Sequence, residues 1–257
     1  MASNRIQRRL WRWYSRYYDG LLDLIPYQRL LELVEESVAC GPGDDVVDLG
    51  CGTGNLLARL TRSTQLGRVH GVDSSAAMLG TALPKLAHVD YVELVESDLL
   101  AWLAEAPTRS VDRVVSVNVL YTLTAEQRAQ FWADALRILR PGGRLVVVTT
   151  DRAGFGPVVR EHLAERSFWG SLTPRLVAVL GLNLAIWALE TGEVFDPAPL
   201  SVLLDECVAA GANVLRTERC YGGPDDGVDV LVVAEPITVD LRSGVALAAP
   251  RTAPVTP

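Results

Sequence analysis

Val46-Val47-Asp48-Leu49-Gly50-Cys51-Gly52-Thr53-Gly54-Asn55 sets an apolar strand, a glycine-rich turn and the start of a helix end to end. In sheets of parallel strands, ligands bind at such turns, outside the carboxyl ends of the strands. Glycine adopts backbone angles closed to other residues and lets a ligand come up against the main chain. A dinucleotide site uses G-x-G-x-x-G, with the pyrophosphate on the helix N-terminus. Here the third glycine comes one residue early, in the pattern Asp48-x-Gly50-x-Gly52-x-Gly54, and Asn occupies position 55. The spacing argues against a nicotinamide dinucleotide, and the acid ahead of the glycines suits a ligand with a positive group.

Two further acids fall in step with this turn. Asp73 closes the next strand, 19 residues past Gly54, where an acidic side chain can take both hydroxyls of a ribose. Asp98 closes the third strand, placed for an adenine amino group.

Around them, short apolar runs alternate with helix-like segments, the rhythm of a parallel sheet covered on both faces. Strands are predicted at Asp45–Leu49, Val69–Asp73, Tyr91–Glu96, Val111–Val119, Arg144–Thr150, Asn213–Cys220 and Asp229–Ala234. Helices are predicted at Asn55–Ser63 and Ala76–Leu86, and Thr124 with Gln127 forms a capping box that starts a third, stopped by Pro141-Gly142-Gly143. The loop Tyr221–Val228 is too short for a helical crossover, so the last two strands should pair antiparallel. The expectation is an α/β, Rossmann-like, doubly wound seven-strand sheet, mostly parallel, with a C-terminal antiparallel hairpin.

The rhythm divides the chain into an N-terminal helical cap (1–40), the ligand-binding core (41–150), a helical insertion (151–199), a C-terminal helix and hairpin that complete the core (200–239) and a weakly packed tail (240–257). In the insertion, Thr173-Pro174 reads as a helix cap and first position, followed by the uncharged run Leu176–Leu189 and Gly192 beyond its end. Those 14 residues fall short of the roughly 20 that span a bilayer, so no transmembrane helix is expected. In the cap, Ile6, Leu10, Trp13, Tyr14, Tyr17 and Leu21 form an apolar helical stripe beside a basic one of Arg5, Arg9, Arg12 and Arg16. That basic face suits either solvent, an anionic group or weak contact with a membrane surface.

At 257 residues and 49% hydrophobic composition the chain can bury one substantial core. A net charge of -7 argues against nucleic-acid binding, which runs on phosphate neutralisation by Lys and Arg. Cys40, Cys51, Cys207 and Cys220 lie far apart with no ligand spacing, so neither a metal nor a disulfide framework is indicated, and a reduced, cytoplasmic setting is expected.

VVDLGCGTG (46–54), VHGVDSSAAML (69–79), the Ser97-Asp98-Leu99 step and LRPGGRLVVV (139–148) together resemble class I S-adenosylmethionine (SAM)-dependent methyltransferases. The likeness is to the small-molecule branch that includes ubiquinone and menaquinone C-methyltransferases, with WYSRYYDGLL (13–22) resembling that branch's N-terminal cap. The resemblance implies SAM as cofactor and S-adenosylhomocysteine (SAH) as product. Asp48, Gly50, Cys51, Gly52 and Gly54 would surround the methionine moiety, Asp73 and Ser74 the ribose, and Asp98 and Leu99 the adenine. Met78, Asn118 and Tyr18 would add contacts. It also implies a small acceptor, apolar if Leu176–Leu189 lines the pocket, such as a polyketide, quinone or isoprenoid, with or without an anionic group. His162, Tyr121 and Tyr18 are the candidate catalytic residues. Two other readings stay open: a SAM-binding enzyme that runs a non-methylating step such as a cyclisation, and a membrane-surface or partner-binding module with a vestigial cofactor site. Oligomeric state is not legible.

Overall fold

The computed structural model describes residues 14–152, 154, 156–165, 177, 181, 196–222 and 226–237. A 3₁₀ segment, Tyr18–Asp23, leads into helix α1 (Ile25–Val38). Strands β1 (Val46–Leu49), β2 (Val69–Asp73), β3 (Val92–Glu96), β4 (Val111–Val117) and β5 (Leu139–Thr150) then alternate with helices α2 (Asn55–Ser63), α3 (Ala76–Leu86), α4 (Leu99–Glu105) and α5 (Ala125–Ile138). Helix α6 (Gly156–Glu165) follows, and α7 (Leu200–Ala209) precedes β6 (Ala212–Cys220) and β7 (Asp229–Pro236).

The seven strands run in the order β3-β2-β1-β4-β5-β7-β6. Pairing is parallel from β3 to β5, and β7 lies antiparallel to both β5 and β6. The order reverses between β1 and β4, and the crevice outside their carboxyl ends is where such sheets take ligands.

Strand alternation sends successive residues to opposite faces, and each face meets helices. Val46, Val69, Val146 and Val148 pack with Leu30, Val34, Leu57 and Leu60 on one side. On the other, Val47, Leu49, Val114 and Val147 pack with Leu103, Phe131, Trp132 and Leu203. Each fully buried side chain of this size contributes roughly 1.5–3 kcal/mol of transfer free energy.

The elements at both ends of the glycine turn match the sequence expectation, as does the antiparallel hairpin, with Cys220 opposite Asp229. The capping box forms: Gln127 N–H donates to Thr124 Oγ1 at 3.4 Å, and Thr124 N–H donates to Gln127 Oε1 at 2.9 Å. Thr124→Ala is therefore expected to cost about 1 kcal/mol, seen as a fall of roughly 2–4 °C in melting temperature.

Three expectations need correction. Helix α5 ends before Pro141-Gly142-Gly143, but those residues lie inside β5, which already pairs at Leu139 with Val111. The register shifts there and resumes at Arg113 opposite Arg144, with Gly142 at φ +77°, so the triplet is a bulge that glycine makes possible. Second, residues 15–23 are not one amphipathic helix: a turn precedes the 3₁₀ segment, which leaves Tyr14 and Leu21 buried and Tyr17 38% exposed. A change from 3.6 to about three residues per turn takes Tyr17 off the stripe. Third, β4 ends at Val117, because Asn118 turns into left-handed backbone at φ +57°. Ile6, Leu10, Trp13, Arg5, Arg9 and Arg12, the Thr173-Pro174 cap, nearly all of Leu176–Leu189, Gly192 and the 240–257 tail lie outside the described residues.

Candidate functional site

Asp48 is the penultimate residue of β1 and is 2% exposed. Burial first, and then the negative charge of Asp73, push its carboxyl up to about 8, and no hydrogen bond or cation among the described residues offsets this. A buried acid without a partner is costly, and a cationic group placed beside it relieves that cost. Asp73 ends β2, where Oδ2 accepts from Gly52 N–H at 2.9 Å and Oδ1 from Ser75 N–H at 2.8 Å. Burial raises its carboxyl above the ordinary range, and the two amide bonds offset only part of that rise. Asp73 therefore ties the second strand to the glycine turn.

The three glycines of the turn all have positive φ, at +80°, +55° and +72° for Gly50, Gly52 and Gly54, but do different work. A Cβ on Gly50 would sit 2.3 Å from Val119 Cγ2, so this glycine allows the segment after β4 to close on the turn. A Cβ on Gly54 would lie 3.0 Å from Ala82 Cβ and 3.2 Å from Leu86 Cδ1, so it packs α2 against α3. A Cβ on Gly52 would meet nothing within 4 Å and would project into open space beside Asp73. Gly52 is the position at which a ligand can approach the backbone.

The remaining expected residues are spread around this turn. Cys51 is buried, its N–H donates to Val72 O at 3.0 Å, and burial holds its thiol well above the usual range. Ser74 is exposed, and the cap of α3 is Ser75, whose Oγ accepts from the N–H of buried Met78 at 3.4 Å. Asp98 lies two residues past the end of β3 as the cap of α4, with Oδ1 accepting from Leu100 N–H at 2.9 Å and Ala101 N–H at 3.2 Å. Leu99 beside it is half-buried. Asn118 follows β4, with its buried Oδ1 meeting no hydrogen-bond donor.

Between the N-terminal segment, α1 and the end of β6, tyrosines gather. Tyr18 meets Tyr14 edge-on at 5.1 Å and Tyr27 at 6.3 Å between ring centroids, and Tyr27 meets Tyr221 at 6.4 Å. Burial raises the phenols of Tyr18, Tyr27 and Tyr221, so all three are neutral near pH 7. Tyr121 is 7% exposed in a 3₁₀ turn, Leu120–Thr122, and its carbonyl accepts from Asp196 N–H at 2.7 Å, where the chain returns from the insertion. His162, on α6, is 3% exposed, and its Nδ1 accepts from Ile25 N–H at 3.3 Å. That bond occupies the Nδ1 lone pair and fixes the ring against the start of α1.

Sequence reasoning missed Tyr27, Tyr221, Asp229, Asp19 and Lys85. Tyr221 adopts left-handed backbone at φ +58°, rare for a bulky residue, directly after β6. Asp229 opens β7, is 1% exposed and accepts from Thr150 Oγ1 at 2.9 Å. Nothing local marks these residues: the pairing of β5, β7 and β6 brings Tyr221 and Asp229 to the carboxyl edge of the sheet, and the packing of the N-terminal segment, α1 and α3 places Asp19, Tyr27 and Lys85. The Gly and Asp content of the 221–228 loop was the sole hint.

SAM, which the sequence resemblance implies, fits this turn: its ammonium answers the unpartnered Asp48 carboxylate, its backbone approach answers the open space at Gly52, and Asn118 Oδ1 offers a spare acceptor. Among the described residues no cluster could hold a metal ion and no helix is long and apolar enough to cross a membrane.

Residues 46–143 match the family model described as a methyltransferase domain. The trans-aconitate 2-methyltransferase of Pseudomonas aeruginosa (strain UCBPP-PA14) is 32% identical over 192 residues, 65% of this chain and 66% of that protein. Among solved structures, the N-methyltransferase NodS from Bradyrhizobium japonicum WM9, in complex with SAH, superposes with a TM-score of 0.59 at 16% identity, covering 84% of this chain and 90% of that one. The [4+2]-cyclase SpnF superposes with a TM-score of 0.58 at 19% identity, covering 82% of both chains. These two likenesses concern the fold. The chain spans 59%, 40% and 62% of the lengths of three curated relatives it matches.

Proposed function

From the premise that residues 46–143 are a methyltransferase domain in the SAM-dependent α/β fold, we propose that the protein transfers a methyl group from SAM to O, N or C of a small, largely apolar acceptor. The observation that carries this reading is a buried Asp48 carboxyl without a hydrogen-bond or cationic partner at the end of β1, followed by a turn whose Gly52 backbone is open. SAM supplies an already activated methyl group, so the protein's work is alignment and exclusion of water. Asp48 would bind the ammonium, Asp73 the ribose hydroxyls, Asp98 and Leu99 the adenine, and Met78 and Asn118 would complete the wall.

The tyrosine file Tyr14, Tyr18, Tyr27 and Tyr221 supports an acceptor with apolar surface and a few polar atoms. Near neutral pH the Tyr18 phenol is a donor that orients the acceptor, and His162, held by its Nδ1 bond to the start of α1, is a further catalytic candidate. Tyr121, at the return of the insertion, would set the acceptor's position. Asp229, at the start of β7, adds a buried acid.

A second reading has a specific motive: SpnF, a [4+2]-cyclase, shares this fold as closely as the N-methyltransferase NodS does. The two readings part in the fate of the cofactor. Incubating the protein with SAM and a panel of apolar acceptors should release SAH in equimolar amount with product. Asp73→Ala should lower that rate by at least about 100-fold, through lost charge-assisted bonds to the ribose. Product formed while SAM stays intact would replace methyl transfer with the cyclase-like reading. Failure of the wild-type protein to bind SAM or SAH in calorimetry would overturn both.

A further inference from the structure

One ammonium group joins three separate parts of the cofactor side. Lys85, near the end of α3, donates from Nζ to Asp19 Oδ1 at 2.8 Å, to Thr53 O at 2.8 Å and to Asn55 Oδ1 at 2.7 Å. Three acceptors match the three N–H bonds of an ammonium. Thr53 stands between Gly52 and Gly54, and its Oγ1 donates to the same Asp19 oxygen at 2.7 Å. Asp19 belongs to the 3₁₀ segment and adjoins Tyr18.

The bonds are unequal in what they hold. Those to Thr53 O and Asn55 Oδ1 tie α3 to the glycine turn and the start of α2, two elements of the core, so they hold the turn itself. Both bonds to Asp19 cross to the N-terminal segment and converge on one oxygen of a side chain that is 37% exposed. Water can replace them without burying an unpaired charge, because Asp19 reaches solvent. The crossing is therefore the part that opens while the turn keeps its form.

We propose that Lys85 is a positioning residue whose contact with Asp19 latches the N-terminal segment over the glycine turn, so that cofactor enters and leaves only when the Asp19–Lys85–Thr53 contact opens. This rests on the reading of the turn as the SAM site. The latch sets the rates of exchange and leaves acceptor recognition to other residues.

The test uses the full chain with Asp19→Asn, Lys85→Met and the double variant. Asp19→Asn keeps the shape of a part-exposed side chain and removes only its charge, so it should fold even if Lys85→Met does not. SAH release is followed by stopped-flow displacement with excess SAM, and hydrogen–deuterium exchange follows the amides of residues 18–24 in ligand-free protein. Each single variant should release SAH about tenfold faster, the double variant no faster than the faster single, and exchange at residues 18–24 should rise in all three. A purely structural role would lower the melting temperature with release unchanged, and that result overturns the latch. So does unchanged exchange in Asp19→Asn, a readout that needs no ligand. A wild-type protein that binds no SAH overturns the cofactor reading itself, and with it the function assigned to the latch.

Discussion

Asp48→Asn is expected to weaken SAM binding by at least about 100-fold and to make the ligand-free protein more stable, two effects of opposite sign from one residue. The carboxyl is held up to about 8 by burial and by the charge of Asp73, whereas in the unfolded chain it titrates near the ordinary value of about 3.9. The folded state therefore keeps a proton that the unfolded state has released. Stability falls as pH rises from about 4 to about 8, by at most ~1.4 kcal/mol per unit, and is level above that. Asparagine has nothing to titrate. The variant should gain on the order of 2 kcal/mol at pH 8, roughly 4–8 °C in melting temperature, and the gain should vanish near pH 4.

Binding reads the same group from the other side. At pH 6.5 an empty site holds Asp48 protonated, and the ammonium of SAM drives that proton off. Calorimetry in buffers of different ionisation enthalpy should find about one proton released per SAM bound by the wild type and none by Asp48→Asn. Equal affinity in the variant, or a lower melting temperature at pH 8, would show that Asp48 is held by something other than an absent cation.

Gly52→Ala and Gly54→Ala should change stability and binding in crossed proportions. At Gly52 the added methyl group meets nothing within 4 Å, and at φ +55° an L residue costs about 1–2 kcal/mol. The fold should lose only a few degrees, while the methyl group occupies the space in which a cofactor must touch the backbone, and SAM affinity should drop by at least about 30-fold. At Gly54 the methyl group presses on Ala82 and Leu86 at 3.0 and 3.2 Å, with the same backbone strain at φ +72°. There the melting temperature should fall further, because α2 and α3 must separate, and the remaining folded protein should bind SAM with a smaller loss. Paired melting curves and calorimetric titrations decide the matter: if Gly54→Ala loses more affinity than Gly52→Ala, the open face at Gly52 is not the cofactor's side of the turn.

Most of the β1–β3 half of the fold was legible because its signals are local. Val46–Leu49 followed by Gly50, Gly52 and Gly54 is a strand, a turn and a helix start written in ten residues, and backbone angles closed to other residues require those glycines where they stand. Alternating apolar runs called for a sheet covered on both faces, and a loop too short to cross over called for the antiparallel end. Segment boundaries slipped where one turn competes with another, as at Leu139–Gly143, where a helix stop and a strand bulge look alike in sequence.

Tertiary structure alone decided the rest. Asp98 and Asp73 look equivalent as acids after strands, yet Asp73 folds its carboxylate back onto Gly52 while Asp98 caps α4, because only the first faces the glycine turn across a strand pair. His162 looks like an exposed helix residue until α1 covers it and Ile25 takes its Nδ1. Tyr27 and Tyr221, far apart along the chain, and Asp19, Thr53 and Lys85, on three different segments, become neighbours only when α1, α3 and the last strands pack. Local sequence determines backbone geometry because sterics act between adjacent residues. It is silent on these contacts because burial and charge pairing are set by which faces meet, and one strand face or helix register can meet many partners until the whole core is buried.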